Sequence, residues 1–444
     1  MSLEILAFLM FGALVLALAV GHPLAFSLGG VAFFFGLIGW GGNWWALVGM
    51  FTSKTYGGMD NFVLVAVPLF IFMAQMMDAA GIAEKLYHTL HVLMGPIRGG
   101  LAVATIMVCV MFAASCGIVG ATEVAIGLLA APALMKRHYN ISLTAGTICA
   151  GGTLGIIIPP SIMLVVYGSM KGMSVGKLFA AAFFPGLLLA ALYIVYILTS
   201  CAIFPAMGPP LPKEERTYTW RQKIVMAMTS LVPPLALILI VLGSIIFGIA
   251  TPTEASGMGC MGSSFLALIY RKLTWKVAKD AVYATLQTTS MILIIYIGGC
   301  CFSAVFLGLG GGGSIADFLL GLEVNPYVIL WLMMITVFFL GMFIDWIAIL
   351  LILLPVFSPI AKQLGFDSLW FATLICVNLQ MAFLTPPFGY SLFFMKGIAP
   401  EGMTMNHIYK GVVPFVILQW IGLAICVYWP ELVLYLPNII FAGK

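Results

Sequence analysis

The stretch Gly151-Gly152-Thr153-Leu154-Gly155-Ile156-Ile157-Ile158-Pro159-Pro160-Ser161 lies in the middle of an apolar run that carries no charge from Asn140 to Gly168. A continuous helix is not expected there, because proline removes a backbone hydrogen-bond donor and clashes with the preceding turn. In hydrocarbon, the carbonyls freed by such a break must be satisfied by protein groups, water or an ion. The run therefore predicts a membrane span that is broken at its middle.

A second stretch of this kind, Asn378-Leu379-Gln380-Met381-Ala382-Phe383-Leu384-Thr385-Pro386-Pro387-Phe388-Gly389, lies in the uncharged run from Ser368 to Met395. The two proline pairs are separated by 386 − 159 = 227 residues, and Pro132 and Pro359 by the same 359 − 132 = 227. Two broken spans at corresponding positions of two halves are typical of transporters that bind substrate and ion at the bilayer midplane. The sequence therefore predicts an internal repeat with a binding site at the breaks.

The composition is that of an integral membrane protein. Of 444 residues, 63% are hydrophobic and 8% are charged, and the mean hydropathy is +1.16, so the polar surface is too small for a soluble globular protein. The net charge of +4 comes from loop Lys and Arg clusters, which bear on topology and give no support to nucleic-acid binding. The nine cysteines lie in apolar runs without CxxC spacing, which favours a packing role over disulfides or metal binding.

The predicted fold is an all-α polytopic membrane protein with about ten spans of about 20 residues each and two re-entrant hairpins. The first 18 residues or so are apolar but lack a basic n-region, so they are interpreted as the first span and not as a cleaved signal. The predicted parts are a first repeat, 1–206, with a hairpin at about 99–135 and a broken span at about 140–168; a connecting loop, 207–223; and a second repeat, 224–444, with a hairpin at about 326–362 and a broken span at about 368–395.

Basic residues set the predicted orientation. Arg98, Lys136, Arg137, the central loop and the segment Arg271 to Lys279 fall on one side when the crossings are counted, and the positive-inside rule makes that side cytoplasmic. Both termini are then periplasmic. Each half has an odd number of spans, five, which would invert the second repeat relative to the first.

Polar connecting segments are predicted to serve as moving parts. The amphipathic stretches Asp78 to Arg98 and Arg271 to Asp280 are interpreted as arms, and Gly308 to Ser314 as a flexible hinge, since it lacks the Lys-Ser/Thr ending of a phosphate-binding loop. His88 and His91, at i and i+3, could ligate a haem or a metal, but interfacial histidines on a surface helix are the commoner case.

Four carboxylates fall at or near membrane depth: Asp60, Glu123, Glu254 and Asp345. Such groups are functional candidates by default, because an unpaired charge in the membrane is costly, and the alternative for each is an interfacial or helix-capping role. For Glu254, after the Thr251-Pro252 turn, a first-turn carboxylate facing the helix N-terminus is favoured. Since no Arg or Lys lies in either break or hairpin tip, an anionic substrate would be held by helix N-terminal N–H groups and hydroxyls.

Other classes of function fit less well. The sequence has no HExxH or GxSxG motif, so the parts of a zinc peptidase or a serine hydrolase are absent and no enzyme activity is predicted. A channel or a membrane subunit of a redox complex is the alternative, and a redox subunit should show paired histidines within its spans. Sodium fits the carbonyl-lined tips better than a proton, because no chain of histidines or carboxylates is evident.

Several motifs resemble the large membrane subunit (DctM type) of tripartite ATP-independent periplasmic, or TRAP, transporters. They are Ala150 to Gly155 with Ile158-Pro159-Pro160-Ser161, Thr251-Pro252-Thr253-Glu254-Ala255, Asn378-Leu379 with Leu384 to Gly389, and Val67-Pro68-Leu69-Phe70. The resemblance covers nearly the whole chain. It implies a sodium-coupled importer of organic anions in the bacterial inner membrane, with an elevator mechanism and the fold of the ion-transporter superfamily.

The resemblance also implies two partners, a small four-span membrane subunit, here expected as a separate chain, and a periplasmic substrate-binding protein. A self-sufficient sodium/anion symporter of the same fold is the alternative. Sodium is expected as a coupling ion and no cofactor is expected.

Site residues follow from the resemblance position by position. The implied sodium ligands are Ser115, Cys116, Gly120, Gly151, Gly152 and Thr153 at the first tip and break, and Gly341, Asp345, Asn378, Met381, Ala382 and Thr385 at the second. The implied substrate contacts, between the tips, are Gly120, Thr153, Pro159, Pro160, Ser161, Thr385, Pro386 and Gly389. The chain departs from the family pattern at the first tip, usually serine-rich, where it reads Val119-Gly120-Ala121-Thr122-Glu123, and at Gln380 and Ala382.

Overall fold

The computed structural model describes residues 2–117, 119–387 and 389–441, and for Ser115, Cys116, Ala121 and Lys213 it describes only the backbone. All regular structure in this part of the chain is helical. The first half contains α1 Leu3–Ala19, α2 Leu24–Gly39, α3 Trp44–Met59, α4 Ala66–Ala79, α5 Ile82–Met94, α6 Gly100–Cys116, α7 Val119–Lys136, α8 Ile141–Thr153, α9 Ile162–Lys171 and α10 Val175–Ile203. The second contains α11 Trp220–Ser230, α12 Val232–Ile246, α13 Pro252–Ile269, α14 Trp275–Gly308, α15 Gly311–Leu320, α16 Pro326–Gly341, α17 Trp346–Gln363, α18 Ser368–Ala382, α19 Tyr390–Ile398, α20 Met405–Tyr428 and α21 Glu431–Phe441.

Helix boundaries recur between the halves at the spacing of the proline pairs. Adding 227 to the bounds of α7 (119 and 136) gives 346 and 363, which are the bounds of α17. Adding 227 to the bounds of seven other helices gives, within three residues, the bounds of a helix in the second half. The pairs are α1 and α12, α2 and α13, α5 and α15, α6 and α16, α8 and α18, α9 and α19, and α10 and α20. One spacing therefore relates eight pairs of helices.

The broken helices begin at equivalent caps. The Asn140 side chain accepts a hydrogen bond from the Leu143 amide at 3.1 Å, and Asp367 (140 + 227) accepts from the amides of Leu369 and Trp370 at 2.8 Å. Each cap satisfies amides that the first helical turn leaves without partners. The start of each broken helix is thus fixed by a short polar residue, and its end by the glycine and proline positions.

Six helical stretches in the described residues are long and apolar enough to cross a membrane on length and composition: Phe62–Ala79, Val175–Ile203, Trp220–Ile246, Trp275–Gly308, Trp346–Gln363 and Met405–Tyr428. The remaining apolar helices are shorter, and several are the arms of the predicted hairpins or the halves of the broken spans. Helices are interrupted at the predicted positions, between α6 and α7, α8 and α9, α16 and α17, and α18 and α19.

One prediction about the connecting segments is wrong. The basic stretch 271–280 is not separate from the span that follows it, because most of it is the N-terminal part of the unbroken 34-residue helix α14. Gly308 to Ser314, predicted as a hinge, is a short turn between two helices: α14 ends at Gly308, only Leu309 and Gly310 intervene, and α15 begins at Gly311. Gly310 takes φ +84°, a left-handed turn that glycine adopts without steric cost. At the spacing of 227, the counterpart of α5 is α15.

Two short helices and one boundary were not predicted. Helix α3 begins at Trp44, and α21 follows α20 near the C-terminal end of the described residues. The predicted loop 207–223 already contains the start of α11, at Trp220. Both α3 and α21 are short and have exposed apolar faces, so their sequences lack the long apolar run of a span.

Candidate functional site

The two breaks differ in exposure. The first is entirely buried from Gly151 to Ser161, and the Ser161 hydroxyl donates a hydrogen bond to the Ile156 carbonyl, which the break leaves free. In the second, the Thr385 hydroxyl donates to the Met381 carbonyl at 2.8 Å, and Pro386 is exposed. Both Pro-Pro peptide bonds, 159–160 and 386–387, are cis.

The breaks are joined by a polar contact between equivalent positions. The Gln380 side-chain amide donates to the Thr153 hydroxyl at 3.3 Å and lies 3.4 Å from the Tyr193 hydroxyl, and 380 − 153 = 227. All three side chains are fully buried. This buried contact links α8 of the first broken span to α18 of the second.

Each hairpin tip contacts a break. At Gly117, φ is +61°, and a Cβ there would lie 3.1 Å from the Pro160 carbonyl oxygen, so the first tip rests on the first break. A Cβ at Gly341 would lie 2.3 Å from the Ala382 Cβ, so the second tip presses on the end of α18. Only glycine permits approaches this close.

A cavity of about 660 Å³ opens beside both tips and both breaks. Helices α2 and α14 form its opposite wall, through residues such as Phe26 and Ile295. Its polar side chains are Gln75, Thr288, Asp345 and Tyr390, and among the described lining residues none is Arg, Lys or His. The cavity is of a size that holds a small organic molecule.

The predicted substrate residues are only partly brought together. Gly120 lines the cavity. Thr153 faces Gln380 instead, and Pro159, Pro160 and Ser161 are buried behind the lining. Thr385, Pro386 and Gly389 also lie outside the lining.

The predicted sodium ligands fall into two groups along the chain, one at each tip and break. At the first, Gly151 packs against Cys109 and Gly152 against Glu123, while the side chains of Ser115 and Cys116 lie outside the described residues. At the second, Gly341, Met381 and Ala382 are packed together, and Thr385 follows one turn later. The Asn378 amide nitrogen donates to the Met334 carbonyl at 2.6 Å, and its side-chain oxygen has no hydrogen-bond partner among the described residues.

The four candidate carboxylates lie in four different environments. Glu254 forms a capping box with Thr251 at the start of α13, with the Thr251 amide 2.8 Å away, as expected for a first-turn carboxylate. Asp60 is exposed at the end of α3. Asp345 caps α17, accepting from the Ile347 amide at 3.2 Å, and lines the cavity. Glu123 is fully buried.

The sequence analysis did not predict the residues that line the cavity outside the two breaks. Gln75 on α4 and Thr288 on α14 are polar residues in the middle of apolar helices, and that pattern could have identified them. The aromatic residues Tyr390 and Phe394 on α19 carry no such signal.

An ion pair joins the end of the first hairpin to the central loop. Arg137, at the end of the first hairpin, donates two hydrogen bonds to Glu215 of the central loop. These hydrogen bonds lower the pKa of the Glu215 carboxyl and raise the pKa of Arg137. Nearby, the Lys85 ammonium lies 3.5 Å from the centre of the Tyr270 ring, so α5 meets the end of α13 there.

No described group of three His, Cys, Asp or Glu side chains is placed to hold a metal ion. His88 and His91 instead meet the rings of Tyr218 and Tyr87. The arrangement is that of a central cavity flanked by two glycine-lined helix breaks, suited to reversible binding of small solutes.

Comparison with known proteins agrees with this geometry. The family model described as "Tripartite ATP-independent periplasmic transporter, DctM component" matches residues 11–432. The chain is 33% identical over 388 residues to the C4-dicarboxylate TRAP transporter large permease protein DctM of Pseudomonas aeruginosa, covering 87% of this chain and 88% of that one. It is 31% identical over 425 residues to the sialic acid TRAP transporter large permease protein SiaM of Vibrio cholerae, covering 95% and 96%.

Among solved structures, the Alcanivorax borkumensis YdaH transporter aligns with a TM-score of 0.60 at 16% identity over 87% of each chain, a likeness of fold alone. The family match spans both hairpins and both breaks, and the relatives are membrane permeases. The chain therefore belongs to the DctM component family of tripartite ATP-independent periplasmic transporters, as its motifs predicted.

Proposed function

We propose that this chain is the large permease of a sodium-coupled importer of a small organic anion, such as a carboxylate, and that it works by an elevator mechanism in the bacterial inner membrane. The observation that carries the proposal is the cavity of about 660 Å³ that both tips and both breaks line on one side and α2 and α14 on the other. A substrate in that cavity would touch two structural units at once. Sliding one unit past the other would then expose it to the opposite side.

The inverted repeat, with halves 1–206 and 224–444, is supported by the eight helix pairs related by 227 residues. It is also supported by the contact between Thr153 and Gln380. An odd number of crossings per half inverts the second half.

The moving unit would contain both hairpins, both broken helices, α10 and α20. The scaffold would contain α1 to α4 and α11 to α14, with α5 and α15 as connecting arms. This division follows the packing, since α2 lies along α14 and α4 along α13, where the Cys260 thiol donates to the Leu69 carbonyl at 3.0 Å. Crosslinking α14 to α17 through introduced cysteines should stop transport and preserve folding, whereas full activity of a verified crosslinked protein would contradict an elevator.

Sodium coupling is supported by the chemistry of the tips. The side-chain oxygens of Asn378 and Gln380 have no partner among the described residues, and buried polar oxygens without partners are unfavourable unless a ligand or water satisfies them. The lining has one carboxylate, Asp345, and no described histidine, which favours a cation held by oxygens over a proton relay.

The partners proposed are a small four-span subunit and a periplasmic binding protein. We expect proteoliposomes with this chain alone to accumulate little substrate under a sodium gradient. Addition of the small subunit and of the binding protein, loaded with the acid that stabilises it most in a thermal-shift screen, should restore uptake. C4-dicarboxylates and sialic acid, named for the relatives above, are the first acids to screen.

Two outcomes would redirect the proposal. Sodium-driven uptake of free substrate by the single chain would identify a self-sufficient symporter. Unchanged uptake in potassium medium with only a proton gradient would exclude sodium as the coupling ion.

The proposed orientation has both termini in the periplasm. It is supported by the gathering of Arg137, Glu215 and Lys85 at one end, while Lys177 lies 5.7 Å from the Phe441 ring near the other end. Cysteines introduced at positions 213 and 276 should react only with permeant reagents in intact cells, and ones at 177 and 444 with impermeant reagents. Labelling of position 213 from outside would overturn this orientation.

A further inference from the structure

Glu123 is a carboxyl group buried without a counter-charge. Its side chain is fully buried on α7, and neither of its oxygens has a hydrogen-bond partner of normal geometry among the described residues. The one described salt bridge of the molecule joins Arg137 to Glu215 and does not involve Glu123. A buried carboxylate is costly unless it is paired, so this group is stabilised either by a proton or by a bound cation.

Side chains from two other helices lie beside the carboxyl group. Ser391 on α19 and Cys149 on α8 are the polar side chains that face it. The Ser391 hydroxyl lies 3.5 Å from the Cys149 carbonyl oxygen, at the limit of a hydrogen bond, so neither atom is tightly committed to the other. The carboxylate, the hydroxyl and the carbonyl are ligands of the kind that a hard cation prefers.

The backbone around the group is packed closely. A Cβ at Gly152 would lie 2.9 Å from the Glu123 Cβ, so α7 and α8 approach each other as closely as a glycine allows. Gly152 belongs to the first predicted sodium group, and the carboxyl group extends from it toward Cys149, one turn earlier on α8. The three groups therefore join the first hairpin to both broken helices.

The second half shows that the fold does not need a carboxyl group here. At the spacing of 227, Glu123 corresponds to Leu350, Cys149 to Cys376, and Ser391 to Leu164 (123 + 227 = 350, 149 + 227 = 376, 391 − 227 = 164). These three counterparts are apolar or weakly polar and almost completely buried. An apolar core fills the equivalent place, so packing alone does not explain Glu123.

We propose that Glu123, Ser391 and the Cys149 carbonyl oxygen form a sodium site in which the carboxylate neutralises the cation. The site rests on the proposed sodium coupling and adds a ligand set that differs from the glycine-lined tips. Because its ligands come from the first hairpin, α8 and α19, an ion there would hold the moving unit together during translocation. It would also carry its own counter-charge across the membrane.

The test is sodium binding to the purified full-length protein, with or without its small subunit. The probe is sodium chloride against potassium chloride at equal ionic strength, without substrate. Binding is measured with radioactive sodium and by the sodium-induced shift in the unfolding temperature. Glu123→Gln should bind about one sodium ion fewer than the wild type, or weaken the affinity by about tenfold or more, as removal of a charged ligand predicts. Ser391→Ala should weaken it less.

Leu350→Gln is the matched control, since it places the same amide at the equivalent position and should leave sodium binding at the wild-type level. If Glu123→Gln fails to fold, Glu123→Leu, which copies the second half, replaces it. Wild-type sodium stoichiometry and affinity in a folded Glu123 variant would overturn this site while leaving sodium coupling intact. A wild-type protein that binds no sodium and takes up substrate without it would overturn both.

Discussion

The two halves cross their broken helices against a long helix in different ways. In the first, α8 meets α20 at two glycines: a Cβ at Gly411 would lie 2.1 Å from the Ser142 carbonyl oxygen, and one at Gly146 would lie 2.1 Å from the Gly411 carbonyl oxygen. The equivalent positions at the crossing of α18 and α10 are Thr373 and Phe184 (146 + 227 = 373, 411 − 227 = 184).

The second crossing is correspondingly looser. Thr373 turns its hydroxyl back to the Leu369 carbonyl of its own helix at 3.0 Å. The half-buried Phe184 ring packs 6.1 Å from the ring of Tyr435 on α21, a helix that has no counterpart in the first half. Small residues allow backbones in a membrane to approach closely. One spacing thus produces the same order of helices, while the side chains at each crossing decide how closely the two helices approach.

The largest expected effect is that of adding a side chain at the glycine contact between α8 and α20. Gly411→Ala would place a methyl group against backbone atoms, which cannot move aside as a flexible side chain can, so we expect destabilisation at the upper end of about 1–3 kcal/mol or beyond. The unfolding temperature of the purified protein and the yield of folded protein would measure it. Gly257→Ala on α13 is the control, because nothing lies within 4 Å of the new Cβ.

The next effect tests Asp345, a carboxylate that only the second hairpin has at this position. Asp345 caps α17 and lines the cavity, whereas the corresponding residue of the first hairpin is Ile118 (345 − 227 = 118). Asp345→Asn keeps a good capping residue and removes only the charge, so we expect the sodium concentration for half-maximal uptake to rise about tenfold, or by about 1.4 kcal/mol. Asp345→Ala should in addition lower stability by about 1 kcal/mol through the lost cap.

Sodium titration of uptake and thermal unfolding separate these two contributions. Identical sodium curves for Asp345→Asn and the wild type would remove Asp345 from the cation site and leave it a capping residue.

Residues that interrupt helices made much of this architecture predictable. Glycine and proline positions located both breaks and both hairpins, and the caps at Asn140 and Asp367 lie where the uncharged runs begin. The segment Arg271 to Asp280 was interpreted by charge alone, although helix α14 begins within it, at Trp275, and continues without a break into the following span. The glycines after Gly308 looked flexible, but packing against Phe306 and Ala7 holds Gly311 in a helix.

The candidate site was less predictable than the fold. Tips and breaks are local features, whereas the opposite wall of the cavity depends on how α2 and α14 pack, which no local pattern encodes. Several predicted ligands, such as Thr153, turned out to contact the other half instead of the cavity. Contacts between distant parts of the chain therefore decide which of the predicted residues share a site.

A smaller effect is expected at the hydrogen bond between Gln380 and Thr153, which links the two halves. Gln380→Leu removes the hydrogen bond to Thr153 and should cost about 1 kcal/mol, the usual net value for one hydrogen bond. Thr153→Val should cost a similar amount, and the double variant little more than either alone, since both changes break the same contact. Thermal unfolding of the wild type, the two single variants and the double variant gives the coupling free energy between the two residues. Fully additive effects would show that this contact does not join the halves.

The smallest effect concerns the ion pair between Arg137 and Glu215, which has no counterpart in the second half because Leu364 stands at the position equivalent to Arg137 (137 + 227 = 364). Both partners are partly exposed, so solvent and salt weaken their attraction. The pKa of Glu215 is lowered in the folded protein. The pair's contribution is therefore fully present above the ordinary glutamate pKa, roughly 4.3, and is lost as the pH falls through the lower folded-state value. Arg137→Gln should lower the unfolding temperature slightly at pH 7 and low salt, and the difference from the wild type should disappear at high salt or in strong acid. A difference that persisted in strong acid would show that Arg137 stabilises the loop by packing and not by charge.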